Sequence, residues 1–435
     1  MQQPTKRGVA VWAAAVLTAA GVPLAVPSVA GAAPECQVAA LQMPAGAIGS
    51  GLMDIEQIDG QTVYYGNYYL PLADGGENQR AVIWRGLGGT PQEVGPLDAP
   101  ENIAYELTAT GLINGEAIYP DGTFRPWIQD IRTGALTWLK MPEGAAVDGN
   151  GGRIRRINDT GATVGVLATG KGSSKWNNDV VGHASPTAPI QFFGSPGRHA
   201  DGWGINNSGQ RVGYVQTRSL AKYPHWALWL PSIWEADGSL RYAAMPGTDA
   251  MLFTIEDDGR MSGMSWMGAP ESGHFEPTHW ADADHYETLG VLDGGGWGRP
   301  FGADGDTQVG WLDFVPEPGA VPDWALMDGW VANYGYFWRQ GMVDGVRILP
   351  SLHNVASGDT DWHAFYGVGA VHAVHEGLDQ AGTSTHAGFT EGQEPIFQAT
   401  VFVNVSSCGV AVETTHDPWH LSDVESAVAY TEQHD

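Results

Sequence analysis

Apolar residues in this chain come in short runs that break at Gly, Pro, Asn or Asp every few positions. In "RVGYVQ" (Arg211–Gln216), Val212 and Tyr214 recur at a period of two, which is the signature of a half-buried β-strand. No long stretch carries the 3.6-residue period of an amphipathic helix. The pattern therefore predicts many short strands joined by tight turns, an all-β fold.

The pattern also repeats. "INDTGATVG" (Ile157–Gly165) and "INNSGQRVG" (Ile205–Gly213) are near copies, and their central glycine recurs as Gly60, Gly111, Gly161, Gly209, Gly259, Gly305 and Gly382. Successive intervals are 51, 50, 48, 50, 46 and 77 residues, so the last reads as the same unit with an insertion at roughly 340–375. Each glycine strand is followed by an aromatic or small-apolar row, as in "RAVIW", "RPWIQ", "HWALW" and finally "QATVFV". A third row follows, as in "LTWLKMP" and "LRYAAMP", and its seventh member, "VAALQMP" (Val38–Pro44), stands near the N-terminus.

A unit of about 50 residues with four short antiparallel strands has the size of one β-propeller blade. The expectation is a single seven-bladed β-propeller, with six or eight blades as alternatives and a linear β-solenoid as the rival. The chain opens on a third-row strand and ends on a second-row strand. Those two are expected to complete one blade and close the ring by pairing N- and C-terminal strands. Cys36 and Cys408 flank them, which predicts a disulfide, with two unpaired thiols as the alternative.

Composition adds a compartment. Lys6 and Arg7 precede the apolar run "GVAVWAAAVLTAAGVPLAV", and "AGA" (Ala30–Ala32) offers a small-residue cleavage site. Residues 1–32 thus read as a secretory signal peptide, 33–410 as the propeller and 411–435 as a polar C-terminal tail. Pro23 and Pro27 interrupt the run, which argues against a retained membrane anchor. The protein is expected to be secreted, extracellular and monomeric, with no membrane insertion after cleavage. Its net charge of −28 opposes nucleic acid and anionic membranes. An extracellular glycan or protein remains as partner, although an acidic surface also serves solubility alone.

These rows resemble the extracellular repeat family named for its His-Ala-Phe tripeptide, the HAF repeat. The likeness is carried by His225, Trp226, Ala227 and Trp229, by Thr288, Leu289 and Gly290, and by Ile205, Asn206, Asn207, Gly209, Val212 and Gly213. Ile157, Asn158, Asp159, Gly161, Val164 and Gly165 match as well, and "HAF" itself stands at His363 inside the long interval. The resemblance implies fold and secretion, and it implies no activity.

Candidate chemistry is sparse. Asn-Asp-x-Gly has hard oxygen ligands for a cation, but Asn, Asp and Gly are also what a turn into a strand requires, and the turn is the expected reading. No cofactor is expected, with a divalent cation left open. "PDGTF" (Pro120–Phe124) is one incomplete copy of a sialidase-like Asp box. The insertion concentrates His353, His363, His372 and His375. "HAVHE" (His372–Glu376) spaces two imidazoles so that one helical turn would aim both at a metal. Trp362, His363, His372 and His375 are the candidate binding residues, and His372 and His375 the candidate metal ligands, with solvated loop histidines as the plainer reading. Trp84, Trp229, Trp280 and Trp338 are expected as packing anchors, and Trp176, Trp203, Trp297, Trp311 and Trp362 in Gly-rich loops. No Gly-x-Ser-x-Gly elbow or phosphate loop occurs. The expected function is a non-catalytic binding or interaction module. The alternative is an extracellular polysaccharide-acting hydrolase or lyase with an acidic site near the propeller axis.

Overall fold

The computed structural model describes strand backbone between Val38 and Asn404 with the intervening turns, and side chains chiefly up to residue 303. The chain divides into Met1–Glu35 and Cys36–Asp435, and the described residues belong to the second unit. They contain strands and turns and no helix.

Among the described residues, twenty-nine strands form seven antiparallel sheets. The first holds β2 (Gly49–Ile58), β3 (Gln61–Pro71), β4 (Glu77–Arg85) and β5 (Gln92–Glu93) in that order. The second holds β6 (Glu101–Leu107), β7 (Leu112–Ile118), β8 (Phe124–Asp130) and β9 (Leu136–Trp138). The third holds β10 (Gly152–Ile157), β11 (Thr163–Ala168), β12 (Asn178–His183) and β13 (Ile190–Phe192). The fourth holds β14 (His199–Ile205), β15 (Arg211–Gln216), β16 (Trp229–Trp234) and β17 (Leu240–Tyr242). The fifth holds β18 (Asp249–Ile255), β19 (Met261–Met267), β20 (His274–Trp280) and β21 (Tyr286–Thr288). The sixth holds β22 (Gly298–Asp304), β23 (Thr307–Phe314), β24 (Trp338–Val343) and β25 (Val346–Arg347). The last has five strands, in the order β1 (Val38–Ala39), β29 (Ile396–Asn404), β28 (Asp379–Thr390), β27 (Trp362–His375) and β26 (Val355–Ala356).

The hairpin between the first two strands of a sheet carries the repeated motif. Gly60, Gly111, Gly161, Gly209 and Gly259 all have φ between +76° and +92°, the left-handed region where a Cβ is strained. Gly305 lies outside the described residues, and Gly382 lies within β28, paired with Val371 and Phe402.

The motif's second glycine has a different cause. The first strand of each of the first six sheets bulges once, at Met53, Tyr105, Arg155, Trp203, Phe253 and Phe301. Opposite each bulge stands a glycine of the second strand: Gly66, Gly115, Gly165, Gly213, Gly263 or Gly310. A Cβ on Gly165 would lie 1.9 Å from the Arg153 carbonyl oxygen, and one on Gly213 1.9 Å from that of Asp201. The bulge brings backbone onto backbone, and only glycine leaves the room.

Neighbouring sheets stack through apolar faces. Val63, Tyr65 and Ile83 of the first meet Ala104, Ile113 and Trp127 of the second, and Ile128 of the second meets Ile154 and Val181 of the third. Val164 and Val180 of the third meet Val215 and Trp234 of the fourth, and Val212 and Ile233 of the fourth meet Leu252 and Trp280 of the fifth. Trp84, Trp234 and Trp280 occupy equivalent places and are fully buried, each two residues beyond the partner of the bulge glycine. The third strand of the fourth sheet, β16, begins in the described residues at Trp229, and Trp234 is its buried anchor; His225, Trp226 and Ala227 lie outside the described residues. Trp203 and Trp311, expected in loops, lie in β14 and β23.

Candidate functional site

First strands converge where Arg156 sits. From β10 its Nη1 donates to the Tyr105 carbonyl at 3.4 Å and pairs with the Glu106 carboxylate, both on β6. On the other side its Nε donates to the Trp203 carbonyl of β14 at 3.2 Å. Its charge also reaches Asp54 on β2. One guanidinium of the third sheet thus reaches toward the first, second and fourth, which places it where their first strands come together.

The residues following the bulges are Asp54, Glu106, Arg156, Gly204, Thr254 and Gly302. Charge therefore occupies this column in the first three sheets, and small residues occupy it in the next three. Strand β10 supplies Arg153, Arg155 and Arg156, whereas β2, β6, β14 and β18 supply no arginine or lysine. Arg155 Nη2 bonds Asp201 Oδ2 at 3.1 Å, and its guanidinium lies 3.9 Å from the Trp203 ring centroid. The Tyr105 hydroxyl donates to Glu116 Oε2 at 3.0 Å, and the Tyr65 hydroxyl donates to the Tyr105 carbonyl.

Burial sets the protonation of this knot. It raises Glu116 to about 7 against the charges of Arg153 and Arg155, and raises Asp54 to about 7 against its Ile55 amide bond and Arg156. Asp201 is raised by burial too, with Arg155 opposing. Chemically, the arrangement is a set of carboxylates each facing an arginine, two of them close to neutral pH in their titration.

Beside the knot an aromatic series runs into the fifth sheet. Trp203 packs edge-on to Phe253 at 5.4 Å, Tyr214 meets Trp229 at 5.7 Å, and Trp229 stacks on Phe275 at 5.9 Å.

The sequence-derived candidates lie elsewhere. Trp362, His363, His372 and His375 all fall on β27, so the helical turn that would aim two imidazoles at one ion is replaced by extended backbone, with His372 at a register shift. Their side chains, and Cys36, His353 and Cys408, lie outside the described residues. Among the described residues no group of three or more His, Cys, Asp or Glu is arranged to hold a metal, and no helix is long and apolar enough to cross a membrane. Asp54, Glu106, Glu116, Arg155, Arg156 and Asp201 were not legible as a group. Aligning the repeats on the bulge glycine, rather than on the turn glycine alone, puts Asp54, Glu106 and Arg156 in one column.

No family model and no curated protein matches the chain. Among solved structures, the β-propeller domain of the Trilobed protease from Pyrococcus furiosus, described as having an open velcro topology, is similar with a TM-score of 0.50 and 12% identity, over 85% of this chain and 97% of that one. A puromycin-hydrolysing peptidase of Mycobacterium tuberculosis has a TM-score of 0.49 at 12% identity, over 86% of this chain and 56% of that one. Phage phi92 endosialidase has 0.39 at 9%, over 88% and 70%. At such identities the likeness speaks for fold alone. Stacked small antiparallel sheets and the Pyrococcus furiosus domain agree: the chain is an all-β propeller.

Proposed function

We propose that this protein is a secreted, monomeric binding module without catalysis, a seven-bladed propeller of the HAF-repeat kind whose partner is an extracellular glycan or protein. The observation that carries the non-catalytic reading is the pairing of carboxylates with arginines where the first strands converge. Glu106 is held by Arg156 and Asp201 by Arg155, which leaves those two unavailable as acid, base or nucleophile. The flanking indole and phenyl series supplies the large, rigid contact area that recognition favours.

Three observations support seven blades and a closed ring. The strands fall into seven sheets. Strand β1 pairs with β29 in the last of them, with Val38 opposite Asn404. The chain after β1 also meets the first sheet as later outer strands meet their successors. Trp84 Nε1 donates to the Gln42 carbonyl at 2.7 Å, His183 Nε2 to that of Lys140 at 3.1 Å and Trp280 Nε1 to that of Ala244 at 2.7 Å. Each acceptor precedes a Met-Pro pair. A Cys36–Cys408 disulfide fits this closure, and non-reducing mass mapping that finds Cys36 free would remove it.

A second reading, a polysaccharide hydrolase or lyase, draws on Asp54 and Glu116. Both hold a proton near neutral pH, as a general acid must. A glycan array run with a sugar-release assay separates the two. Binding without release supports the module, whereas release that vanishes in Asp54→Asn or Glu116→Gln supports the enzyme.

A further inference from the structure

We infer that the cleft between the N-terminal segment and the outer half of the first sheet is a binding site for a neutral, multiply hydroxylated ring such as a hexose. The inference rests on the binding-module reading and gives that reading a place and a ligand class.

The cleft lies at a position of the repeat that three successive sheets fill with an aromatic ring and the first does not. One row crosses the second, third and fourth sheets from the bulge glycine to the outermost strand: Gly115–Trp127–Trp138, Gly165–Val181–Phe192 and Gly213–Ser232–Tyr242. Its outer member is an exposed aromatic in these three successive sheets, with Trp138 at 40%, Phe192 at 50% and Tyr242 at 45% exposure. In the first sheet the row is Gly66–Val82–Glu93, so a carboxylate stands where the second, third and fourth sheets carry a ring, while the fifth and sixth end the row in Thr288 and Arg347. There a cleft of about 620 Å³ opens, with Pro44 from the N-terminal segment and Pro91 as walls. Val82 and Tyr68, both buried, also line it. That volume is within the range of small-molecule sites.

The polar groups are fixed in advance. The Tyr68 hydroxyl donates to Glu93 Oε1, and Arg80 Nη2 donates to Oε2 at 2.9 Å. Arg80 is itself buried and held by the carbonyls of Ala99 and Leu97. Glu93 therefore has a set orientation and a neutralising partner, and each of its oxygens keeps acceptor capacity. An anion meets the carboxylate, and a cation meets one already neutralised by Arg80. A hydroxyl gains a charge-assisted hydrogen bond without adding charge. The proline and valine walls suit the C–H face of a sugar ring, and Gln42 adds an amide to the lining.

The test uses the full chain and saturation-transfer NMR with methyl hexosides, glucosamine and glucuronic acid as probes. Neutral hexosides should bind best. Glu93→Gln, which keeps shape and removes charge, should weaken them about tenfold. Ala45→Trp, at an exposed lining residue, should block the mouth and abolish binding while circular dichroism and Tm stay as in the wild type. If Glu93→Gln fails to fold because Arg80 loses its partner, Ala45→Trp decides alone. Hexoside binding that survives Ala45→Trp overturns this cleft and leaves the module reading standing. Preference for glucuronic acid or glucosamine, or no hexoside binding by the wild type, overturns the ligand class. The module reading fails separately, when the glycan array shows no binding and protein capture finds no partner.

Discussion

Asn158 donates its Nδ2 to the main-chain carbonyl of Asn206, 2.8 Å away in the next sheet. Its Oδ1 accepts from the amides of Thr160 and Ala162 at 3.1 and 2.9 Å, so one amide side chain closes its own turn and ties it to the following one. Asn206 repeats the arrangement, reaching the Glu256 carbonyl at 3.2 Å. The next motif position continues the belt, with Asp159 and Asp257 both accepting from Asn207 Nδ2. Asn158→Ala leaves the backbone groups of Thr160, Ala162 and Asn206 without this partner, the last two in buried residues, and should cost about 1–3 kcal/mol. Urea unfolding should show a lower midpoint at unchanged slope; an unchanged midpoint would mean the inter-sheet bond carries nothing.

The two glycines of the motif should differ sharply in what replacement costs. Gly209→Ala places a Cβ on a left-handed turn residue, 3.4 Å from the Ala236 Cβ, at about 1–2 kcal/mol. Gly165→Ala drives a Cβ into the Arg153 carbonyl, which forces the bulge itself to move. We expect Gly165→Ala to cost well over 4 kcal/mol or to prevent folding. Comparable thermal shifts for the two variants would contradict the account of the bulge.

How much of this the sequence makes legible follows from what repeats. Strand period, turn glycines and the recurrence of Ile-Asn-x-x-Gly are local, so the all-β propeller can be read from them. The need for Gly165 and Gly213 cannot, because a bulge exists only once two strands have a register. The knot around Arg156 is hidden for a further reason. Asp54, Glu106 and Arg156 stand one per sheet, in a column filled elsewhere by Gly204, Thr254 and Gly302, and a search for repeats discards what does not recur. The histidines drew attention by clustering in sequence, whereas the charges that meet in space come from β2, β6, β7, β10 and β14.

The indole bond from Trp84 to Gln42 tests the seam where the chain's start meets the first sheet. Trp84→Phe keeps most of the buried ring, and removes the Nε1 donor at 2.7 Å. The expected loss is about 1–2 kcal/mol, together with faster amide exchange in Leu41–Ala47. Trp280→Phe removes the same bond to Ala244 within the repeat, and should cost as much without touching exchange at the N-terminal segment. Equal exchange in both variants would argue against a seam at this place.

Glu116 gives the stability of the fold a pH dependence with a definite sign. Its carboxyl is raised by burial from 4.5 to about 7, so between those values the native state holds a proton that the unfolded chain has lost. Stability is then fully present below about pH 4.5 and falls as pH rises through 7. Asp54, raised from 3.8 to about 7, acts in the same direction. Glu116→Gln mimics the protonated form, which still accepts from the Tyr105 hydroxyl beside Arg153 and Arg155. It should match the wild type at pH 5 and exceed it by about 3 kcal/mol at pH 8. Urea midpoints at the two pH values measure this directly. A variant weaker than the wild type at pH 8 would mean that Arg153 and Arg155 hold the ionised carboxylate more firmly than burial opposes it, and the knot would then be a net source of stability at neutral pH.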